Sequence, residues 1–81
     1  MKAMIKMNLT VDKVNMVCNI CDAFNFDVNI VSGRVCVDGK SVMGVMKMCG
    51  RDVVVVPVTD DEDMWEQFFQ RLSAEVGAYK E

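Results

Sequence analysis

The sequence contains no histidine, a single proline and no long apolar run. Without histidine, the chain lacks the side chain that most often serves as a general base near neutral pH. No stretch approaches the roughly 18 consecutive apolar residues of a membrane-spanning helix, and the first ten residues alternate in polarity where a secretory signal would be apolar. We therefore expect a cytoplasmic protein that is neither a membrane protein nor an enzyme, with no catalytic residues.

An excess of positive charge is also lacking. Twelve acidic residues face nine basic ones, which gives a formal net charge of -3. Nucleic acids and anionic membranes bind clustered Lys and Arg that offset phosphate charge, so neither is an expected partner. Low proline content and 52% hydrophobic residues are typical of a folded chain rather than a disordered one. We predict one domain over residues 1–81.

The first third of the chain predicts a strand followed by a helix. Ile5, Met7 and Leu9 alternate with polar residues, which is typical of a strand with one buried face. Thr10 can cap the helix that follows. That helix has apolar residues at offsets of three and four, which predicts a face packed on a sheet: Val14, Val17, Cys18, Cys21 and Phe24.

The middle of the chain predicts a hairpin and a short helix. Strands over residues 26–31 and 34–37 are separated by Ser32-Gly33, a turn signal. Ser41 is placed to cap a short helix over residues 42–48. A valine-rich strand over residues 53–58 follows, with one face expected to be buried.

The last element is an amphipathic helix. The acidic run over residues 60–63 complements the positive end of its dipole. Its apolar stripe comprises Met64, Trp65, Phe68, Phe69, Leu72 and Val76. The order β-α-β-β-α-β-α predicts an α+β open-faced sandwich, in which a four-stranded, mostly antiparallel sheet carries helices on one face.

The cysteines offer a rival reading. Cys18 and Cys21 form a Cys-x-x-Cys pair, which raises thiol redox chemistry or metal binding. Redox pairs of this kind lie at a helix N-terminus, where the dipole lowers the thiol pKa, whereas this pair falls on an apolar stripe. Cys36 and Cys49 do not complete a zinc site with it. We predict reduced cysteines, with no metal and no cofactor.

Residues 40–46, Lys-Ser-Val-Met-Gly-Val-Met, closely resemble the segment that HPr proteins carry around their regulatory serine. HPr is the phosphocarrier family of the sugar phosphotransferase system. Residues 27–30, Asp-Val-Asn-Ile, lie upstream at the spacing HPr shows, and the resemblance extends from about Phe24 to Val76. It implies the HPr fold, which agrees with the order of elements predicted from periodicity.

The resemblance implies a role for Ser41. In many low-GC Gram-positive bacteria a dedicated kinase phosphorylates HPr at the matching serine, and the product acts as corepressor with catabolite control protein A. An HPr kinase and a transcription regulator are thus the implied protein partners. A phosphoryl group on a helix N-cap would meet free backbone N–H groups, but Ser41 can equally serve only as a cap, which contributes about 1 kcal/mol.

The helix after Ser41 is apolar on nearly every side, and one or two turns cannot bury all of its faces. Methionines that remain exposed suit a partner surface, because they repack against varied shapes; the alternative is that they fill gaps in the core. The close approach implied by Gly44 involves either the sheet or a partner. The predicted partner-binding residues are Lys40, Val42, Met43, Met46 and Lys47.

The phosphocarrier motif of HPr is missing. HPr carries its phosphoryl group on a histidine in a Gly-x-His-x-Arg-Pro loop after the first strand, where this chain has Leu-Thr-Val-Asp-Lys over residues 9–13. Without an imidazole nucleophile and a cation beside it, phosphoryl relay is excluded. Asp12 also reverses the charge of an arginine that HPr uses to meet its partners.

The sequence therefore predicts a non-carrier HPr-like protein, similar in that respect to the catabolite repression HPr-like protein. Its predicted role is that of a regulatory or protein-binding module. The alternative is a degenerate HPr paralogue with a structural role, or with an unrelated interaction through the open face of the sheet.

Overall fold

A computed structural model describes residues 3–81. The strands are β1 (Ile5–Leu9), β2 (Val28–Ser32), β3 (Val35–Asp38), β4 (Arg51–Pro57) and β5 (Tyr79–Lys80). The helices are α1 (Val14–Asp22), α2 (Val42–Met46) and α3 (Glu62–Val76), and a 3-10 turn spans Val11–Lys13. One sheet has the order β3-β2-β4-β1-β5, with every neighbouring pair antiparallel. The predicted α+β open-faced sandwich is confirmed, with five strands instead of four.

The alternating pattern of the strands decides which face of the sheet is covered. In β1 the apolar residues Ile5, Met7 and Leu9 are buried while Asn8 is exposed. The valine-rich β4 alternates in the same way, because Val53, Val55 and Pro57 are buried and Val56 is exposed. Only one face of the sheet therefore carries the core.

Both long helices bury the predicted apolar stripes. All five residues of the α1 stripe are buried, and those of α3 are buried except for Met64, which is half-buried. Ile20 is also fully buried, although it lies outside the α1 stripe. Because α1 packs against both α2 and α3, its buried face is wider than contact with a sheet alone would require.

The centre of the core is an aromatic cluster. Phe68 of α3 is fully buried, and its ring meets those of Phe24 and Phe26 edge-on, with centroids 5.4 and 5.7 Å away. Edge-to-face geometry places the positive ring edge against a negative ring face. The cluster joins α3 to the segment between α1 and β2.

The fifth strand was not predicted. Gly77, with a φ of 75°, ends α3 in the left-handed region, and the chain then turns back along β1. Backbone N–H groups of Met4 and Glu81 each donate to the other residue's carbonyl, at 3.1 and 2.9 Å. Lys80 donates to Glu66 at 2.8 Å and lies 4.7 Å from the Phe69 ring centre. Two residues are too few to show a strand period, which explains the omission.

Predicted boundaries shift at the hairpin. Gly33 has a φ of 58°, which suits the first position of a tight two-residue turn. The turn consists of Gly33 and Arg34, so β3 begins at Val35 and β2 continues to Ser32. Residues 26 and 27, predicted as strand, lie before β2.

The prediction that the Thr10 side chain caps the first helix is wrong. The Thr10 side chain makes no capping hydrogen bond, and its hydroxyl donates to the Asp12 carboxylate instead. A 3-10 turn occupies the next residues, and α1 begins at Val14. A short polar side chain can bond a neighbouring side chain as readily as a helix N–H group, so sequence alone does not distinguish the two.

Truncating the centre of the core should strongly destabilise the protein. We expect Phe68→Ala to lower the free energy of unfolding by about 3 to 5 kcal/mol, because it removes the buried ring and leaves a cavity at the centre of the core. Gln67→Ala, at an exposed neighbouring position of α3, is the matched control, with a change of about 0.5 kcal/mol or less. Urea unfolding followed by circular dichroism measures both. Equal effects would contradict the placement of Phe68.

Candidate functional site

Ser41 caps α2, as predicted. Its backbone is extended, and its Oγ accepts a hydrogen bond from the Gly44 N–H at 3.2 Å. Its carbonyl accepts from the Val45 N–H at 2.9 Å, which begins the helical ladder. The serine side chain remains exposed while it caps the helix.

The inner side of α2 is anchored to the core and the sheet. Val45 and Met48 are fully buried. A Cβ added at Gly44 would lie 3.3 Å from the Cβ of Val37 in β3. The close approach predicted at Gly44 is therefore made by the sheet, and the two alternatives at this position are resolved.

The helix is shorter than predicted and ends at Met46. Met48 and Cys49 donate to carbonyls three residues back, at 2.9 and 3.2 Å, which tightens the chain and turns Met48 into the core. Gly50, with a φ of 84°, then donates to the Leu9 carbonyl at 2.7 Å. The segment is thus tied to β1 as well as to β3.

The outer side of α2 exposes three apolar side chains. Met43 is 79% exposed, Met46 48% and Val42 47%. We call Val42, Met43 and Met46 the α2 surface. All three are among the predicted partner-binding residues, whereas Met48, at the end of the helix predicted over residues 42–48, belongs to the core.

The two predicted partner-binding lysines differ in their surroundings. Lys40 is half-buried, and its ammonium donates to the Phe24 carbonyl at 3.0 Å. That bond ties the loop before α2 to the end of the segment after α1. Lys47 is exposed beside the α2 surface. Only Lys47 therefore offers its charge without breaking a hydrogen bond within the fold.

Exposed apolar residues also occur in the loop after β1 and on α1, where the sequence analysis did not predict them. Val11 is 68% exposed in the loop after β1, and Met16 is 41% exposed on α1, the helix that packs against α2. Because Met16 lies outside the apolar stripe of α1, its exposure could have been predicted from the sequence. Beside Val11, the hydrogen bond from Thr10 lowers the pKa of the Asp12 carboxyl, which holds a negative charge in this loop.

Cys18 and Cys21 are buried and not disulfide-bonded. Burial raises the pKa of the Cys21 thiol from 9.0 to about 12, and it raises the pKa of Cys18 as well. A thiol with a raised pKa is a poor nucleophile and a poor metal ligand. Within residues 3–81, no group of acidic or cysteine side chains is arranged to hold a metal ion. The expectation that this pair lies in the core is confirmed.

None of the helices formed by residues 3–81 combines the length and the apolar character that crossing a bilayer requires.

The raised thiol pKa predicts loss of stability at high pH. Below pH 9.0, Cys21 is protonated in both states, and its full contribution is present. Between pH 9.0 and about 12 only the unfolded chain loses the proton, so the free energy of unfolding falls by about 1.4 kcal/mol per pH unit. Chemical unfolding across this range should show a flatter slope for Cys21→Ala than for wild type. The exposed Cys36→Ala is the control, and a wild-type slope in Cys21→Ala would refute the assignment.

Comparisons with known proteins bear on the fold. No family model matches the sequence, and no curated protein matches it. Among solved structures, HPr-C-His from Thermoanaerobacter tengcongensis is similar with a TM-score of 0.64 and 17% identity, over 83% of this chain and 85% of that chain. A histidine-containing phosphocarrier protein of Mycoplasma is similar with a TM-score of 0.64 and 19% identity, over 94% and 96%. The chain therefore has the HPr fold.

Proposed function

We propose that this chain is a cytoplasmic regulatory or protein-binding module, related to the sugar phosphotransferase system, that does not carry a phosphoryl group on histidine. It acts as a single, non-enzymatic domain. It docks a protein partner through the α2 surface, and Ser41 is its site of regulatory phosphorylation. The observation that carries the proposal is the exposure of Met43 on a helix whose opposite side is anchored.

The α2 surface has the properties of a docking site. Its three apolar side chains project from a helix that Val45 holds in place, so little ordering is needed when a partner binds. Methionine side chains adapt to the shape of the surface they meet. Lys47 adds a charge at the margin, which favours a partner with an acidic rim.

Ser41 is open to a kinase because its side chain is exposed. In the transfer, the serine oxygen attacks the terminal phosphorus of ATP, ADP leaves, and the hydroxyl proton passes to a base of the kinase. The Gly44 N–H that now donates to the serine oxygen is in reach of the new phosphate oxygens. A phosphoserine at this cap adds negative charge beside the α2 surface, and this would change which partners it accepts.

The non-carrier part of the proposal rests on chemistry. A phosphoryl carrier of the HPr type uses an imidazole nucleophile, and the sequence contains none. Thr10 in the corresponding loop has its hydroxyl bonded to Asp12, whose negative charge would repel an incoming phosphoryl group. The name of the Mycoplasma neighbour describes a histidine-containing protein, and the proposed role departs from it at this point.

Intact-mass spectrometry tests the phosphorylation site. After incubation with ATP and an HPr kinase, wild type should gain one phosphoryl group and Ser41→Ala none. Ser73→Ala is the control for loss of a serine elsewhere. A phosphorylated Ser41→Ala variant, or an unmodified wild type, would contradict the assignment. The variant should also unfold about 1 kcal/mol more easily, because it loses the cap.

A second prediction concerns docking. Against a transcription regulator of the catabolite-control type, Met43→Ala and Met46→Ala should each weaken binding about tenfold, as expected for central apolar anchors. Met4→Ala is a matched control, because Met4 is 50% exposed but pairs with the β5 edge, away from α2. Isothermal titration calorimetry measures the three variants. Equal losses in all three would argue against the α2 surface.

A further inference from the structure

We propose that this protein forms a weak homodimer through its β3 edge. The β3 strands of two copies pair antiparallel about a two-fold axis at Cys36, with Arg34 of the preceding turn brought opposite Asp38, and the five-stranded sheet continues into a sheet of ten strands. We call residues 34–38, Arg-Val-Cys-Val-Asp, the edge segment. The inference is independent of the α2 surface and of Ser41.

The two edges of the sheet differ in how they are protected. The β5 edge is two residues long and ends in charges, since Lys80 pairs with Glu66 and Glu81 with Lys6. Short, charged edges discourage pairing with another chain. The edge segment contains no lysine, proline or bulge, and Val35 and Cys36 within it are exposed. Its charges, Arg34 and Asp38, stand only at its two ends, so its central residues are less protected against pairing than the β5 edge.

The hairpin fixes which backbone groups face outward. A two-residue turn at Gly33 and Arg34 makes Ser32 and Val35 a hydrogen-bonded pair. Because such pairs alternate along antiparallel strands, Val37 also bonds to β2, and Cys36 directs its N–H and carbonyl away from the sheet. A second copy centred on Cys36 meets these unpaired groups in the register that antiparallel pairing requires.

Charge in the edge segment is self-complementary in this arrangement only. With Cys36 on the two-fold axis, Arg34 lies opposite Asp38 of the second copy, twice, and Val35 lies opposite Val37 of the second copy, twice. Parallel pairing would place Arg34 against Arg34. Within residues 3–81 the Arg34 guanidinium makes no ion pair, so its charge is available. Opposite charges in directly facing cross-strand positions stabilise a pair of strands.

The dimer is expected to be weak. Five residues from each copy cover less surface than a stable interface needs. Sedimentation velocity from micromolar to millimolar protein should show a monomer–dimer equilibrium. A protein that stays monomeric at millimolar concentration overturns the proposal.

A charge exchange tests the register. Arg34→Glu and Asp38→Lys each place like charges opposite one another in a homodimer, and each should raise the dimer dissociation constant about tenfold. An equimolar mixture of the two variants restores both opposite-charge pairs, so it should dimerise at least as well as wild type. Asp38 also accepts a hydrogen bond from the Lys40 N–H, so thermal unfolding first establishes that each variant is folded.

Cross-linking provides an independent readout. A short bis-maleimide should join two copies of wild type and of Cys49→Ser, but not of Cys36→Ser, because only Cys36 lies on the axis. A dimer that persists unchanged in both charge variants, a mixture that behaves like its components, or cross-linking that survives Cys36→Ser would each place the contact elsewhere and overturn the proposal.

Discussion

The whole arrangement depends on covering one face of a five-stranded antiparallel sheet. Apolar side chains occupy the covered face of β1, β2 and β4, and a chain of this size cannot leave such a face in water and remain folded. α1 and α3 meet that need together, and Phe68 ties them to the segment that leads into β2. The opposite face is not covered by helices, and this is why the strands alternate between buried and more exposed residues.

That constraint explains why much of the fold follows from the sequence. The apolar alternation in β1 and the three-and-four spacing in α3 both arise because each element buries one side, and both elements were predicted correctly. Local turn geometry is harder to predict from the sequence. The turn lies at Gly33 and Arg34, so two strand boundaries differ from the predicted ones, and the Thr10 hydroxyl donates to a side chain instead of capping a helix. β5 is too short to show a periodicity, and its contacts with β1 and α3 are not visible in the sequence.

The candidate site likewise combines features that the sequence predicts with features that it does not. The cap at Ser41 and the exposure of Met43 follow from local rules, because a short helix cannot bury all of its sides. The hydrogen bond from Lys40 to Phe24 joins residues far apart in the chain, and a charged residue read alone gives no sign of it. Met48 turned inward because the chain tightens after Met46, a change of backbone that composition does not report. The location of the α2 surface could therefore be predicted from the sequence. Which residues belong to it is decided by backbone geometry and by contacts between residues distant in the chain.

The mutual backbone hydrogen bonds of Met4 and Glu81 have a practical consequence. They bring the two ends of the described chain side by side at one edge of the sheet, while α2 and β3 lie towards the other. A short linker joining these ends would strain little of the fold, so circular permutants are accessible. New ends could then be opened at the Gly33 turn, which would free β3 from its covalent link to β2 while leaving the helical layer continuous.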